Sequence, residues 1–161
     1  MQGDLGIIDI LNELLAGELT AVDQYLIHGE MYNHLGFHHL GEMSLHESEH
    51  ERLHARDLIQ RILFLNGRPD LSKRGPLNIG ATVPAMLQAD LDLEYSVAGE
   101  LKRAISACES AKDYVTRDML VRQLDDTEMD HAYWLEQHLR LVKLVGLENY
   151  QQSQMEPSSP T

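Results

Sequence analysis

The placement of the prolines divides this chain into two long blocks that can each be helical without interruption. Of the five prolines, none falls in residues 1–68 or 85–156. Proline removes a backbone donor and breaks helices, so these two ranges are free of the strongest helix breaker. The stretch between them, NGRPDLSKRGPLNIGATVP, combines three prolines with three glycines: Pro69, Pro76 and Pro84 with Gly67, Gly75 and Gly80.

Both blocks carry apolar residues at the three- and four-residue spacing of amphipathic helices. In the first block the pattern pauses near Gly36, a residue that suits a helix C-cap. In the second block the apolar pattern begins near Pro84 and becomes less regular near Lys112. Gly146 ends the last long helix, and residues 147–152 predict a short fifth one. The sequence therefore predicts an all-α fold.

The connection between the two blocks is too long for a simple hairpin loop. It has about 18 residues, whereas helix connections in bundles usually have about 2–8. A connection of this length can cross the whole bundle, which places the second and third helices parallel. We therefore predict a ferritin-like four-helix bundle with a long crossover over residues 1–152, followed by a disordered tail at 153–161.

Four glutamates occupy positions on the apolar stripes where leucine is expected. Glutamate is rarely buried unless it is paired, and four converging carboxylates would repel one another. Two divalent cations would remove that objection. Two histidines follow two of these glutamates at i+3, which completes the candidate ligand set: Glu18, Glu51, His54, Glu94, Glu128 and His131.

The depth of each residue in the bundle decides which Glu-x-x-His pairs belong to the site, because a third pair, Glu47 and His50, also occurs. If the hairpins turn near Gly36 and Lys112, the six ligands lie at one level, about 25 Å from the turns at 1.5 Å rise per residue. The Glu47 pair would lie about 6 Å nearer the first turn, too far to complete the same site. The spacings of 33 residues from Glu18 to Glu51 and 34 from Glu94 to Glu128 indicate an approximate internal twofold.

Three segments and the GLENY ending resemble bacterioferritin: ELLAGELTAVDQYLIH, HESEHERLHARDLIQRILFLNG and DTEMDHAYWLEQHL. The resemblance covers roughly residues 11–154. It implies a hollow shell of twenty-four subunits that oxidises Fe(II), with O2 or H2O2 as oxidant, and stores a ferric mineral. It also implies two irons per subunit on the six ligands, with Glu51 and Glu128 bridging and Glu18 and Glu94 terminal, and a ferredoxin as partner for iron release.

Two positions depart from that family. Arg52 stands where the family has the methionine that ligates haem between two subunits. A guanidinium cannot ligate iron, so the chain alone is predicted to carry no haem, although a mixed shell with a haem-binding subunit could. The second departure is the 34-residue spacing, one longer than its counterpart. Either a π-bulge or the turn near Asp113 can absorb the extra residue.

Further candidates have weaker sequence support. Tyr25 lies two turns from Glu18, where its hydroxyl could hydrogen-bond a ligand carboxylate or supply an electron, with a core tyrosine as the alternative. The cluster His46, Glu47 and His50 predicts a further iron site on the cavity side of the second helix, with a solvated charged face as the alternative. Acidic residues that could line entry channels are Asp90, Asp92, Asp118, Asp125 and Asp126. Apolar surface for subunit contacts is expected at Leu26, Met31, Tyr32, Leu58 and Leu71.

The charge balance excludes some classes of partner. With 13 Lys+Arg against 26 Asp+Glu, the net charge is -13, which argues against nucleic acid. No apolar run approaches the roughly 20 residues of a membrane span. A single cysteine, Cys108, favours a reducing cytoplasm. The alternatives to iron storage are a peroxide-consuming oxidoreductase with two iron or manganese ions, a plain structural bundle and a DNA-protecting mini-ferritin.

Overall fold

The first hairpin joins two long helices at a glycine turn. The computed structural model describes residues 1–156, and its first two helices are α1, Leu5–Leu35, and α2, His38–Phe64. Gly36 ends α1 with a φ of 89°, a left-handed conformation that glycine adopts without strain. Its N–H donates to the carbonyl of Asn33 at 3.0 Å. The predicted first turn is confirmed.

The second hairpin contains an irregular fourth helix. Helix α3, Val83–Ser110, has Thr82 as N-cap and a proline in its first turn, as predicted. After the turn at Lys112 the chain remains helical to Gly146, but it changes type twice. The pieces are α4, Tyr114–Asp125, a π-helical segment, Asp126–Ala132, and α5, Tyr133–Val145. The extra residue of the second half is thus absorbed in the π segment, which contains the predicted ligands Glu128 and His131.

The crossover between α2 and α3 is attached along the length of α1. Three α1 side chains at four-residue intervals, Thr20, Gln24 and His28, accept backbone N–H groups of the crossover. The donors follow in chain order, from Gly75 at 2.7 Å to Gly80 at 3.1 Å. The crossover therefore runs in the direction of α1. Since α1 is antiparallel to both α2 and α3, those two helices are parallel, and the predicted bundle topology is confirmed.

Two apolar clusters fill the ends of the bundle and leave a polar layer between them. One contains Leu11, Leu15 and Leu58, and the other contains Met86 and Leu135, all of them buried. Each such side chain contributes about 2 kcal/mol by its burial. Two residues expected on the surface, Tyr32 and Leu58, belong instead to these clusters, whereas Leu26 and Leu71 are exposed.

The C-terminal helix packs somewhat further than the predicted domain boundary at 152. Helix α6 spans Leu147–Ser153, and the next residue, Gln154, is buried. The carbonyl of Gln154 accepts the backbone N–H of His39 at 3.0 Å, which ties this end of the chain to α2. The remainder of the predicted tail, residues 157–161, lies outside the described residues. Residues 1–156 contain helices and turns and no strand.

Candidate metal centre

Two serines fix the rotation of α2 against α1 and so orient its ligands. Ser44 and Ser48 donate to the α1 carbonyls of Tyr25 and Val22, both at 2.9 Å. These contacts place one face of α2 against α1. Glu51 lies one helical turn after Ser48 and therefore faces the interior of the bundle.

Glu51 is the centre of a buried cluster to which α1, α2, α3 and the π segment all contribute. One of its oxygens lies 2.9 Å from His54 Nδ1 and the other 2.8 Å from His131 Nδ1. His54 Nδ1 also lies 3.9 Å from Glu18, and His131 Nδ1 lies 3.5 Å from Glu94. The cluster therefore comprises two triads that share Glu51, one with Glu18 and His54, the other with Glu94 and His131. Within each triad the ligand atoms lie within 4.8 Å of one another.

Burial and neighbouring negative charge disfavour the ionised form of two carboxylates in this cluster. Burial, together with the neighbouring charge of Glu51, raises the pKa of Glu18 well above its ordinary value and that of Glu94 to about 7. Burial also disfavours the charge on Glu51, but hydrogen bonding to His131 and His54 outweighs it and lowers the pKa of Glu51. One carboxylate is therefore held ionised by two imidazoles, and the two flanking carboxyls ionise with difficulty.

The two histidines are held between carboxylates. His54 has Glu51 at one nitrogen and Asp126 at the other, 3.2 Å away. Burial opposes protonation of both imidazoles, but the adjacent carboxylates prevail and raise the pKa of His54 and of His131. A divalent cation can replace these protons, because it supplies the same positive charge to the same oxygens.

The donor set fits iron. Both oxygens of Glu18 are buried without a hydrogen-bond partner, which is costly for a carboxylate unless a cation binds it. Carboxylate oxygens with imidazole nitrogens suit Fe(II), Mn(II) and Zn(II), whereas softer ions prefer sulfur ligands. Residues Glu18, Glu51, His54, Glu94 and His131 thus form two groups of candidate metal ligands that share Glu51.

Tyr25 is an aromatic residue that contacts a candidate ligand. Its hydroxyl donates a short hydrogen bond to Glu94. Burial and the nearby carboxylates of Glu94 and Asp90 raise the pKa of Tyr25 well above its ordinary value, so the phenol keeps its proton. The side chain is therefore placed to orient the Glu94 carboxylate.

Glu128 is the one predicted ligand that the structure does not bring into the cluster. Its side chain is 43% exposed and forms an ion pair with Lys102 of α3. Inside the cluster it would be a further carboxylate beside groups that already ionise with difficulty, whereas Lys102 offers an opposite charge. The π segment contributes, because its wider turn moves residues three apart away from a common face.

The structure corrects the expected separation of Glu47 and His50 from the main cluster. His131 Nε2 lies 2.9 Å from an oxygen of Glu47 and 2.9 Å from His50 Nδ1. The imidazole of His131 therefore contacts residues on two successive turns of α2. The axial distances along the helix had predicted that only one of these turns reaches the site. His46, the third member of the predicted cluster, is 72% exposed and lies 3.4 Å from Glu47.

Sequence reasoning did not assign two polar contacts near the cluster. Asp126, expected only as a channel residue, forms a possible metal-binding group with His50 and His54. Asp90 is buried rather than channel-lining: it accepts from Gln24 at 2.8 Å and lies 2.8 Å from His28 Nδ1. The available signal for Asp90 was its position one helical turn before Glu94, on the same face of α3.

Arg52 lies outside this site. It points away from the cluster and pairs with Glu49 at 2.6 Å, and both side chains are largely exposed. Beside His131 the bundle also contains a cavity of about 30 Å³, lined in part by Tyr25, Glu47 and Trp134. A volume of that order holds one or two water-sized molecules. Across residues 1–156 no helix is both long and apolar enough to cross a membrane.

Comparison with known proteins agrees with this architecture. Residues 8–145 match the ferritin-like domain. A bacterial ferritin of Neisseria meningitidis serogroup B is 54% identical over 96% of this chain and 100% of its own length. One from Pseudomonas aeruginosa is 53% identical over the same shares. A bacterioferritin of Mycobacterium bovis is 38% identical over 93% of this chain and 94% of its own. The chain therefore belongs to the ferritin-like family, together with the bacterial ferritins.

Proposed function

We propose that this chain is an iron-storage subunit that binds two Fe(II) ions, oxidises them to Fe(III) and deposits the product as a ferric mineral inside a hollow shell. The observation that carries the proposal is the pair of buried triads sharing Glu51, each with one further carboxylate and one imidazole. A shared carboxylate holds two ions close together, so that one small oxidant can take one electron from each.

The proposed roles follow from position and charge. Glu18 and Glu94 serve as terminal carboxylates, His54 and His131 as nitrogen ligands, and Glu51 as the bridge. Glu128 is the proposed second bridge. An anionic oxygen-rich set stabilises Fe(III) over Fe(II), which favours electron loss. The two electrons reduce O2 to H2O2, or H2O2 to water, with two protons taken up in either reaction.

The small cavity beside His131 supports a small oxidant rather than an organic substrate. Its volume of about 30 Å³ admits a molecule the size of O2 or H2O2. Glu47, which lines it, also contacts His131. Together with His46 and His50, Glu47 forms the proposed further iron site, through which ions pass between the cavity of the shell and the main centre.

The proposed assembly is a shell of twenty-four copies, acting in the cytoplasm. Exposed apolar side chains such as Leu26 and Leu71 supply surface for contacts between subunits. A shell mixed with a haem-binding subunit, and a ferredoxin that delivers electrons for iron release, are the proposed partners. The net charge of -13 favours cation uptake and disfavours nucleic acid.

The test is Fe(II) oxidation by Glu51→Gln. This change removes the shared charge but keeps the side-chain size, so fast aerobic oxidation, followed optically in a stopped-flow instrument, should fall at least about a hundredfold. Glu49→Gln is the matched control, since Glu49 is exposed two residues away on the same helix. Oxidation by Glu51→Gln at the wild-type rate would refute the proposed centre.

A second candidate function is a peroxide-consuming oxidoreductase with two iron or manganese ions and no storage role. The donor set, which suits manganese as well as iron, is the observation in its favour. Repeated aerobic additions of Fe(II) separate the two functions. A storage protein retains hundreds of ferric ions per particle, whereas an enzyme of this kind retains two per chain and continues to consume H2O2 with Mn(II).

A further inference from the structure

We propose that Lys102 holds Glu128 outside the metal centre, and that the π segment is the hinge through which a bound divalent cation draws Glu128 inward. The inference rests on the proposed function, because it concerns the second bridging ligand of that site. Lys102 is then a positioning residue, which competes with the metal for one carboxylate.

The first argument is the position of Lys102 on α3. Glu94, Ala98 and Lys102 follow one another at four-residue steps along α3, and each step turns the direction by about 40°, from the buried side of the helix at Glu94 to the exposed side at Lys102. Glu94 belongs to the cluster and contacts His131, while Lys102 contacts Glu128. Ala98 lies between them with only a methyl group. The Glu128 carboxylate thus has two possible positions along α3, one beside the buried cluster and one beside the exposed Lys102, with no long side chain of α3 between them.

The second argument is the geometry of the π segment. In an α-helix, residues three apart lie about 60° apart around the axis, so Glu128 and His131 would share a face. The π segment spans both residues, and its wider turn separates their directions. His131 is buried in the cluster and Glu128 is exposed, as that separation requires. A shift of the π-type bonds along the helix, which still accommodates the extra residue, would return Glu128 toward the side of His131.

The third argument is the charge balance of the two positions. Inside the cluster the Glu128 carboxylate would lie beside those of Glu18 and Glu94, both only 1% exposed, and like charges repel strongly where water is excluded. A divalent cation reverses that balance by supplying positive charge at the centre, whereas Lys102 supplies it at the surface. The metal therefore binds more tightly to the arrangement with Glu128 inside, and Lys102 opposes it.

The test is Zn(II) binding to the full-length assembled protein, measured by calorimetry, because Zn(II) has no redox chemistry to complicate the reading. Lys102→Met should tighten binding at the centre about two- to fivefold, the factor that corresponds to an exposed ion pair. Lys102→Arg should keep the wild-type affinity. Arg103→Met is the matched control: it removes the same charge from the next residue, and its affinity should stay close to wild type.

The role of Glu128 is tested in the Glu128→Gln background. There Lys102→Met should have no effect on Zn(II) affinity, because the competing carboxylate is gone. Hydrogen exchange of residues 126–132 should slow on Zn(II) binding in the wild type. The inference is overturned if Lys102→Met binds Zn(II) no more tightly than wild type, if its gain persists with Glu128→Gln, or if exchange in the π segment does not respond.

Failure of this inference is distinguishable from failure of the proposed function. A wild-type protein that binds two Zn(II) per chain, with Lys102→Met at the same affinity, overturns only the role of Lys102. A wild-type protein that binds no Zn(II) at the centre overturns both.

Discussion

Replacing Glu94 with glutamine should stabilise the metal-depleted protein while it destroys the metal site. Glu94 is buried beside Glu51, and this environment raises the pKa of Glu94 from 4.5 to about 7. Glutamine has the shape of the protonated carboxyl and carries no charge that burial can penalise. The substitution therefore removes a cost that the wild-type protein has at neutral pH.

The size of that cost follows from the pKa. At about 1.4 kcal/mol per tenfold change in the equilibrium, raising the pKa from 4.5 to about 7 costs about 3 kcal/mol once the carboxyl is ionised. Because the pKa is higher in the folded state, wild-type stability from this group is complete below pH 4.5 and is lost as the pH rises through 7. The advantage of Glu94→Gln should therefore grow from near zero at pH 4.5 to about 3 kcal/mol at pH 8.

The assay is unfolding of chelator-treated protein between pH 4.5 and 8, with wild type and variant compared as the same oligomer. Glu30→Gln is the control, since Glu30 is exposed on α1 and carries the same charge. Glu94→Gln should also lose rapid Fe(II) oxidation, because a neutral amide is a poor ligand. A variant that is less stable than wild type at pH 8, or whose gain does not change with pH, would refute the reasoning.

The remaining predictions concern the crossover, haem and assembly. A Cβ at Gly80 would lie 2.3 Å from the backbone nitrogen of Met86, so Gly80→Ala should lower stability by about 2 kcal/mol in calorimetry. Gly75→Ala, whose Cβ would meet Thr20 at 3.5 Å, should change it little, and equal melting temperatures would contradict this account. Because Arg52 cannot ligate haem iron, protein purified alone after haem supplementation should show no low-spin Soret band, and a band equivalent to one haem per dimer would oppose that expectation. Gel filtration should give a particle of about 440 kDa from twenty-four chains of 18.3 kDa, and a monomer would rule out the shell.

The sequence was most informative where a residue type has one strong local consequence. Gly36, the prolines of the crossover and the four-residue apolar spacing predicted the turns, the parallel pair of helices and the short last helix, all of which the structure confirms. Burial of Glu18, Glu51 and Glu94 could be anticipated because each replaces a leucine on an apolar stripe.

The sequence was least informative about side chains that have more than one possible partner in the folded structure. Glu128 has the right helical position for a ligand, but a lysine distant in sequence and a local change of helix type decide where its carboxylate lies. The contact of His131 with Glu47 depends on the length and rotation of one imidazole, which spacing along a helix does not reveal. The sequence did not predict the burial of Asp90, because its partner, His28, lies 62 residues away.

The hydroxyl of Tyr25 makes the two halves of the centre chemically unequal. The internal repeat relates Glu18 to Glu94, and the residue seven positions after each is Tyr25 in the first half but Leu101 in the second. Glu94 therefore shares its carboxylate with a phenol, whereas both oxygens of Glu18 have no hydrogen-bond partner. An ion that binds Glu18 displaces no hydrogen bond from that carboxylate, while one that binds Glu94 must compete with the hydroxyl of Tyr25. We expect the centre to load its two ions in order, so that at limiting iron each chain holds a single ion in the Glu18 half.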